Sequence, residues 1–313
     1  MTTPATLSNI PLRAMMADPP TSSFLQHAPN ARVEIDAALS AYSEFDDDCP
    51  AQLREAIRHS LLGPGKRLRP LLVLMSAEAC GCDPSRAMPA ACSVEMVHTY
   101  SLIHDDLPAM DDDDLRRGRP SCHAKYGEAL AILAGDALLA RAFELLATRI
   151  EPPEVAAKCC AELSYAAGAA ALVGGQVDDL AAQSSQQGID QLVRIHRRKT
   201  GAMFRVSLRL GGLAAQASNE QLVALETYGE KLGLAFQIVD DLLDVGGKES
   251  SMGKRLRKDG DRGKLTYPGL LGVTESTRRA EQLIDEACSA LATFGVRAGQ
   301  LDELARYVLE RNH

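Results

Sequence analysis

Helical periodicity runs through almost the whole chain from Val33 onward, and this feature limits the fold more than any other. No stretch alternates apolar and polar residues for more than a few positions, as a half-buried strand would. Glycine and proline divide the pattern into segments because both residues interrupt a regular helix. The pattern predicts helices over about 32–46, 50–62, 66–80, 86–106, 125–150, 153–183, 189–217, 219–245, 275–294 and 298–311.

The composition agrees with a helical core. The chain has 313 residues, no tryptophan and 4% aromatic residues, so Ala, Leu, Val, Ile and Met must fill its interior. Such a palette favours helices over sheets. Neither a fixed-period repeat nor a linker rich in Pro, Gly or Ser divides the middle of the chain. We therefore predict an all-α fold in which residues 31–313 form one large helical domain.

Residues 1–30 differ from the rest of the chain because they combine several prolines with scattered Ser and Thr. They lack the apolar core of a signal peptide, so we interpret them as a flexible N-terminal extension. Arg13 and the hydroxyl residues leave a transit peptide open as an alternative. No apolar run approaches the roughly 20 residues that span a bilayer, which predicts a protein without a stable membrane anchor.

Net charge and cysteine content exclude further classes of protein. A net charge of -8 argues against a nucleic-acid-binding protein, which would present a basic face. The eight cysteines follow neither a disulfide framework nor the spacing of a zinc site. We therefore expect reduced thiols, a reducing compartment and a cytoplasmic location.

The densest chemical signal is a run of aspartates at positions 105, 106 and 111–114. Pro108 ends the apolar helix before them, which places Asp105 in the last turn of that helix. An anion is unfavourable there because a helix C-terminus carries partial negative charge. A solvated acidic loop would explain positions 112–114 but not Asp105 and Asp106. The run therefore predicts a metal site.

A second acidic group lies inside a strongly apolar helix. Asp240 and Asp244 are four residues apart and share one face, with Asp241 beside them. Burying such carboxylates without a partner would be prohibitive. Two carboxylate groups without a His or Cys ligand set indicate Mg²⁺, which prefers oxygen ligands and accepts phosphate oxygens as well.

Basic residues complete the pattern, in groups at or near the ends of apolar helices: 66–69, 116–119, 197–199, 254–258 and 264. Arginine and lysine match phosphate oxygens, so acidic groups for metal together with basic groups predict a diphosphate site. Each Gly-Lys pair lacks the following Ser or Thr of a P-loop, and no nucleophile elbow is present. Cys122 and His123 are adjacent, and we interpret both as structural.

These motifs resemble the trans-isoprenyl diphosphate synthase family, and most closely its bacterial-type farnesyl diphosphate synthases. The matching stretches run from about Gly63 to Gly272: GKRLRP at 65–70, HTYSLIHDDLPAMD at 98–111, RRG at 116–118, LAGD at 133–136, GQ at 175–176, KTG at 199–201, FQIVDD at 236–241 and KLTYP at 264–268. The chain departs from the usual family pattern at Pro64, Asp178 and Leu265, none of which has an assigned role.

The resemblance implies helices around a deep central cavity, usually in a homodimer, and isoprenoid diphosphates as substrates. It implies Mg²⁺, three ions in the closed site, held by Asp105, Asp111 and Asp240. The remaining roles that it implies are allylic diphosphate binding by Arg116, Lys199 and Lys264, isopentenyl diphosphate binding by Lys66, Arg69, His98 and Arg117, and catalysis by Lys199 with Thr200 and Gln237, the last two facing the developing carbocation.

Product length is expected to depend on the helix before the first aspartate motif. Ser101 lies one turn before Asp105, about 40° away around the helix, so it should face the growing tail. In the family resemblance, a ring at Tyr100 closes the floor of the cavity. A small Ser beside a large Tyr predicts a C15 product, farnesyl diphosphate. Geranyl and geranylgeranyl diphosphate synthases stay open as alternatives.

Three other classes of protein were weighed against this one. A terpene cyclase needs only one diphosphate site, whereas Lys66, Arg69, His98 and Arg117 would supply a second. A non-catalytic subunit of a prenyl synthase typically loses aspartates from one motif, and here both motifs are whole. A helical scaffold with acidic patches does not explain acids inside the apolar helix around Asp240.

Overall fold

The computed structural model describes residues 23–182, 188–246 and 265–310. In chain order its helices are α1 Ser23–Tyr42, α2 Ala51–Leu61, α3 Leu68–Ala79, α4 Met88–Asp105, α5 Cys122–Tyr126, α6 Glu128–Arg149, α7 Pro153–Ala167, α8 Leu172–Ala182, α9 Ile189–His196, α10 Ala202–Ala214, α11 Asn219–Gly246, α12 Tyr267–Leu271, α13 Val273–Ala290 and α14 Gly299–Glu310. Two 3-10 helices (Pro84–Ala87 and Leu291–Ala298), one π-helical turn (Arg197–Gly201) and an antiparallel pair of short strands, β1 Leu115–Arg116 and β2 Arg119–Pro120, complete the described elements. The prediction of an all-α fold is confirmed.

Most predicted helices lie within a few residues of the observed ones, and the differences are local. The segment predicted at 153–183 forms two helices because the chain turns at 168–171. The segment predicted at 189–217 contains the π-helical turn. Helix α1 begins at Ser23 and so includes the end of the segment predicted as an extension, whereas residues 1–22 lie outside the described ranges. No helix within those ranges is both long and apolar enough to cross a bilayer.

Helix α4 passes through the centre of the molecule. Its residues 89–97 are all buried, and several of them are small, which lets neighbouring helices approach closely. The helix packs against α3, α6 and α10. It ends at Asp105, as the position of Pro108 predicts, and so it carries the first aspartate motif from the core toward the cavity described below.

Helices α3 and α10 approach each other most closely at Gly211. A Cβ atom at this position would lie 2.0 Å from Ser76 Oγ and 2.1 Å from the Val73 carbonyl oxygen, so only glycine fits. Near the starts of the two helices, the guanidinium of Arg69 lies 5.5 Å from the centre of the Phe204 ring. The two helices therefore run side by side in the same direction, with their first turns at the same end.

Arg67 fixes the loop between α2 and α3. Its backbone is left-handed, with φ of 51°. Its Nε donates to Asp36 Oδ1 at 2.7 Å, its Nη1 to Glu95 Oε1 at 2.9 Å and its Nη2 to the Gly63 carbonyl at 2.8 Å. Both Arg67 and Glu95 are buried. One member of the predicted basic group 66–69 is thus a structural residue that joins α1, α4 and the loop.

Candidate active site

The acidic loop after α4 is closed by its own backbone. The amide of Asp111 donates to the carbonyl of Asp105 at 2.8 Å, and the amide of Asp113 donates to the carbonyl of Asp106 at 3.1 Å. The buried carboxylate of Asp106 accepts hydrogen bonds from Arg116 Nε, at 3.0 and 3.2 Å, and from Arg116 Nη2. Asp106 therefore positions Arg116, while the loop keeps Asp105 and Asp111 close together.

The Asp105 carboxylate is buried, at 9% exposure, and lies 3.4 Å from Nζ of Lys199. Burial raises the pKa of Asp105; Lys199 opposes this shift, and the negative charge of Asp111 adds to it. Two neighbouring carboxylates, one of them buried, are stabilised by further positive charge nearby. Their environment thus fits a site for a cation.

Lys199 and Thr200 lie in the π-helical turn between α9 and α10, a type of turn that is frequent at functional sites. The Nζ atom of Lys199 donates to Gln176 Oε1 and to Asp179 Oδ2, the latter at 3.2 Å. Thr200 Oγ1 donates to Gln237 Oε1 on α11. The structure thus joins Lys199 to two positioning residues on α8 and pairs Thr200 with Gln237. Sequence reasoning gave Gln176 and Asp179 no role, although their spacing of three residues places them on one helix face.

The second acidic group is arranged differently from the prediction. Asp240 and Asp244 are half-buried rather than buried, and Asp241 is the member that is buried, at 8% exposure. The Asp241 carboxylate accepts a hydrogen bond from the Tyr267 amide at 2.9 Å, which holds the start of α12. Asp240 faces another part of the site, because its charge stabilises the protonated form of Arg69.

The carboxylates suit magnesium shared with a phosphate ligand. Within the described residues, no three His, Cys, Asp or Glu side chains are close enough to hold a metal ion by themselves. Mg²⁺ usually takes only one or two protein carboxylates and completes its octahedron with water and phosphate oxygens. Asp105 and Asp111 beside α4 and Asp240 on α11 fit that pattern.

Arg69, His98 and Arg117 form a second cationic group behind the acidic loop. Burial of Arg69 lowers its pKa to about 10, and its Nε atom is buried without a hydrogen-bond partner in the described part of the chain. Burial lowers the pKa of His98 well below its ordinary value, and four guanidinium groups lower it further: Arg69, Arg117, Arg116 and Arg67. A neutral imidazole among arginines, with an unpaired buried donor nearby, fits a site for an anion.

The remaining residues predicted to bind diphosphate are placed as follows. Arg117 Nη1 donates to the Pro64 carbonyl at 2.7 Å. The exposed side chain of Lys66 lines a separate cavity beside Phe236 and α14, so the structure does not bring Lys66 together with His98. Lys264 lies outside the described residues. Asp178, a departure from the family pattern, pairs with Arg198 at 2.7 Å.

A largely apolar cavity lies between α4 and α8. Tyr100 and Ser101 both line it, as predicted for residues that limit a prenyl tail, and Asp105 and Lys199 line it as well. Apolar side chains of α8 complete most of the wall: Leu172, Val173, Val177 and Leu180.

His104 also lines this cavity, and no feature of the sequence indicated its role. Its ring meets the Tyr100 ring edge to face, with centroids 5.7 Å apart. Its Nε2 atom lies 3.1 Å from the Ile132 carbonyl oxygen on α6. A Cβ atom at Gly135 would lie 2.2 Å from that nitrogen, so glycine leaves the space that the imidazole occupies. His104 therefore supports Tyr100 from the side of α6.

Comparison with known proteins gives consistent results. The Polyprenyl synthetase family profile matches residues 50–293. Farnesyl diphosphate synthase of Escherichia coli (strain K12) is 44% identical over 289 residues, which cover 89% of this chain and 96% of that protein. Geranylgeranyl diphosphate synthase of Cyanophora paradoxa is 43% identical over 84% of this chain and 89% of that protein. The crystal structure of an FPP/GFPP synthase from Zymomonas mobilis is 35% identical and superimposes with a TM-score of 0.83, over 92% of this chain and 99% of that one.

Proposed function

The chain belongs to the polyprenyl synthetase family of head-to-tail prenyltransferases, and on that premise we propose that it makes farnesyl diphosphate. It would condense isopentenyl diphosphate first with dimethylallyl diphosphate and then with geranyl diphosphate. One observation carries the proposal: Asp105 and Lys199, a carboxylate and an ammonium group 3.4 Å apart, line a cavity with largely apolar walls. Charged groups for a leaving diphosphate thus adjoin a space with apolar walls for a prenyl tail.

We assign the first step, ionisation of the allylic diphosphate, to the groups around Lys199. Asp105, Asp111 and Asp240 would hold Mg²⁺, which supplies Lewis acidity toward the leaving group when it is bound. Lys199, held in place by Gln176 and Asp179, adds a fixed positive charge where negative charge develops. We assign Arg116 and Lys264 to the same diphosphate.

In the second step the double bond of isopentenyl diphosphate attacks the allylic carbon. The allylic carbon–oxygen bond has broken in the first step with its electron pair on the diphosphate, so the new carbon–carbon bond forms at the carbocation and the released diphosphate takes the proton that is lost. The Thr200–Gln237 pair lines an adjoining cavity that Lys199 also lines, and its oxygen dipoles would favour the carbocation there. Arg69, His98 and Arg117 would bind the isopentenyl diphosphate, whereas Lys66, whose side chain lines a separate cavity, stays a prediction from the family resemblance alone. No protein nucleophile is needed.

The first experiment tests the metal-dependent chemistry. The purified chain is given dimethylallyl and isopentenyl diphosphates with Mg²⁺, and dephosphorylated products are separated by chromatography. We expect prenyl alcohols that disappear when EDTA is added. Asp105→Ala and Asp240→Ala should each lower turnover by orders of magnitude while the far-ultraviolet circular dichroism stays helical. Asp302→Ala, on an exposed pair with Arg306 in α14, is the matched control. Turnover near that of the control in either motif variant would contradict the mechanism.

The second experiment tests the C15 product. Tyr100→Ala should lengthen the main product toward C20, because it removes a ring from the cavity wall. Ser101→Phe should shorten it toward C10. The relatives include both farnesyl and geranylgeranyl diphosphate synthases, so a C20 main product from the unmodified chain would favour the second activity. A C15 product from Tyr100→Ala would show that another residue forms the floor.

The homodimer is also part of this proposal. Ile132 and Leu133 on α6 and Val173 and Val177 on α8 are exposed apolar residues. They flank one region, because His104 contacts Ile132 and lines the same cavity as Val173 and Val177. A second copy of the chain would cover them. Sedimentation should give twice the mass of one chain, and Leu133→Glu should shift the equilibrium toward single chains. A concentration-independent single chain in the unmodified protein would contradict the dimer.

A further inference from the structure

His59 lies between two cations at the edge of the cavity that contains His98 and Arg117. Its Nε2 atom donates to the Pro120 carbonyl at 2.9 Å, so its Nδ1 atom is the acceptor of the ring. Arg119 Nη2 lies 3.0 Å from Nδ1, and Lys125 Nζ lies 3.4 Å from the same atom. One neutral nitrogen thus holds a guanidinium and an ammonium group close to each other.

The aromatic ring of Tyr126 supports this arrangement. Its centroid lies 4.9 Å from Lys125 Nζ and 5.5 Å from the His59 ring, which it meets edge to face. Burial lowers the pKa of His59, and the charges of Lys125 and Arg119 lower it further, which agrees with a neutral imidazole. Neither cation has a carboxylate within 4.0 Å in the described part of the chain. The two positive charges are therefore held together without a counter-ion.

The location of this group indicates which anion it would bind. His59, Arg119, His98 and Arg117 all line one cavity. Two other arginines of the same cavity are already compensated, Arg67 by Asp36 and Glu95 and Arg116 by Asp106. The uncompensated charge of the cavity wall thus runs from Arg117 outward to Arg119, with Lys125 beside it. Positive charge arranged in this way attracts a multivalent anion toward Arg117 and His98.

We propose that Arg119 and Lys125, positioned by His59, form an outer binding site for a diphosphate group at the entrance of the isopentenyl diphosphate site. The inference rests on the proposed function for the identity of that substrate. The bound group is either the diphosphate of isopentenyl diphosphate on its way in or the inorganic diphosphate that the reaction releases. Both ligands have the same chemistry, and the two arms of the test distinguish them.

The kinetic arm compares Arg119→Gln and Lys125→Gln with Arg278→Gln, an exposed arginine of α13 that pairs with Glu275. We expect Arg119→Gln and Lys125→Gln each to raise KM for isopentenyl diphosphate about three- to tenfold. This change should exceed both the decrease in kcat and the increase in KM for the allylic substrate. The decrease of kcat/KM with added salt should also become weaker. The control should show neither change. Equal KM changes for both substrates, or none for isopentenyl diphosphate, would overturn the site for entering substrate.

The binding arm uses inorganic pyrophosphate and the full chain, measured by titration calorimetry without turnover. Weaker pyrophosphate binding in Arg119→Gln than in Arg278→Gln, with an unchanged KM for isopentenyl diphosphate, would assign the site to the released product. Equal binding in both variants together with unchanged KM would overturn the proposal altogether. This arm is independent of the proposed function, because it needs no prenyl product.

The role of His59 is tested by His59→Phe, which keeps a ring against Tyr126 and removes the acceptor nitrogen. We expect this variant to raise KM for isopentenyl diphosphate as Arg119→Gln does, and the double variant to add less than the product of the two separate effects. A purely structural role for His59 would instead lower kcat and the melting temperature without a KM difference between the two substrates. If the unmodified chain makes prenyl product and no variant of the outer site changes KM or pyrophosphate binding, only the outer site is refuted.

Discussion

Gly135→Ala should change product length through His104, at a site that contacts no substrate phosphate. The added Cβ would lie 2.2 Å from His104 Nε2, whereas real Cβ contacts are rarely below 3.0 Å. The imidazole must therefore move by about 1 Å and lose its contact with the Ile132 carbonyl, now at 3.1 Å. The lost hydrogen bond costs about 0.5–1.5 kcal/mol, and overpacking costs about 1–3 kcal/mol. The better helix propensity of Ala returns up to about 1 kcal/mol.

We therefore expect a net loss of about 0.5–3.5 kcal/mol in the free energy of unfolding, small enough for the chain to stay folded. The displaced imidazole lies against Tyr100 and the apolar cavity, so the product distribution should shift toward C10. Chromatography of dephosphorylated products and urea unfolding measure the two effects. Gly299→Ala is the matched control, because no atom lies within 4 Å of a Cβ there. In the double variant Gly135→Ala/His104→Ser the overpacking is removed, so the shift toward C10 should disappear and the loss of stability should fall to that of the missing hydrogen bond. Unchanged product length and stability in Gly135→Ala would refute the reasoning.

Three further predictions concern stability, pH and the division of substrate binding. Glu95→Ala should lower the free energy of unfolding by about 3 kcal/mol in urea titrations, because it leaves the buried Arg67 with only a half-exposed carboxylate partner. His98 is neutral in the folded chain because its pKa is lowered, whereas the unfolded chain takes up this proton below about pH 6.5. The stability that this residue contributes is therefore lost as the pH falls below that value, and His98→Gln should lose less stability than the unmodified chain between pH 7 and 5. Arg117→Ala should raise KM mainly for isopentenyl diphosphate, whereas Lys199→Ala should mainly lower kcat; steady-state kinetics with each substrate varied would contradict the assignment if both variants change the same parameter.

Sequence periodicity was enough to predict the helical fold and the end of α4, because Pro108 and the apolar run before Asp105 are local signals. The turn at 168–171 was missed because a single Gly168 inside an alanine-rich run is a weak signal. The π-helical turn at 197–201 has no local signature, since it depends on what packs against α9 and α10.

In the candidate site, motif spacing predicted which residues take part better than it predicted which of them are buried and which side chains they contact. The helical wheel places Asp240 and Asp244 on one face, but the position of α12 decides that Asp241 is the buried member. Arg67 belongs to the same basic run as Lys66 and Arg69, yet its left-handed backbone turns its side chain toward Asp36 and Glu95. These outcomes depend on tertiary contacts between elements far apart in the chain.

The close contact at Gly211 holds α3 and α10 tightly against each other. Arg69 lies in the first turn of α3, and Lys199 lies in the π-helical turn that precedes α10 at the same end of this helix pair. In the proposed reaction, the distance between the two bound substrates would thus depend on a helix contact in the core, about 16 Å along the helix from Thr200. A methyl group added at Gly211 would push the two helices apart. A displacement of about 1 Å at Arg69 or Lys199 can slow a two-substrate reaction about a hundredfold. In the proposed reaction, the rate would therefore depend on an interior position that lies outside the candidate site.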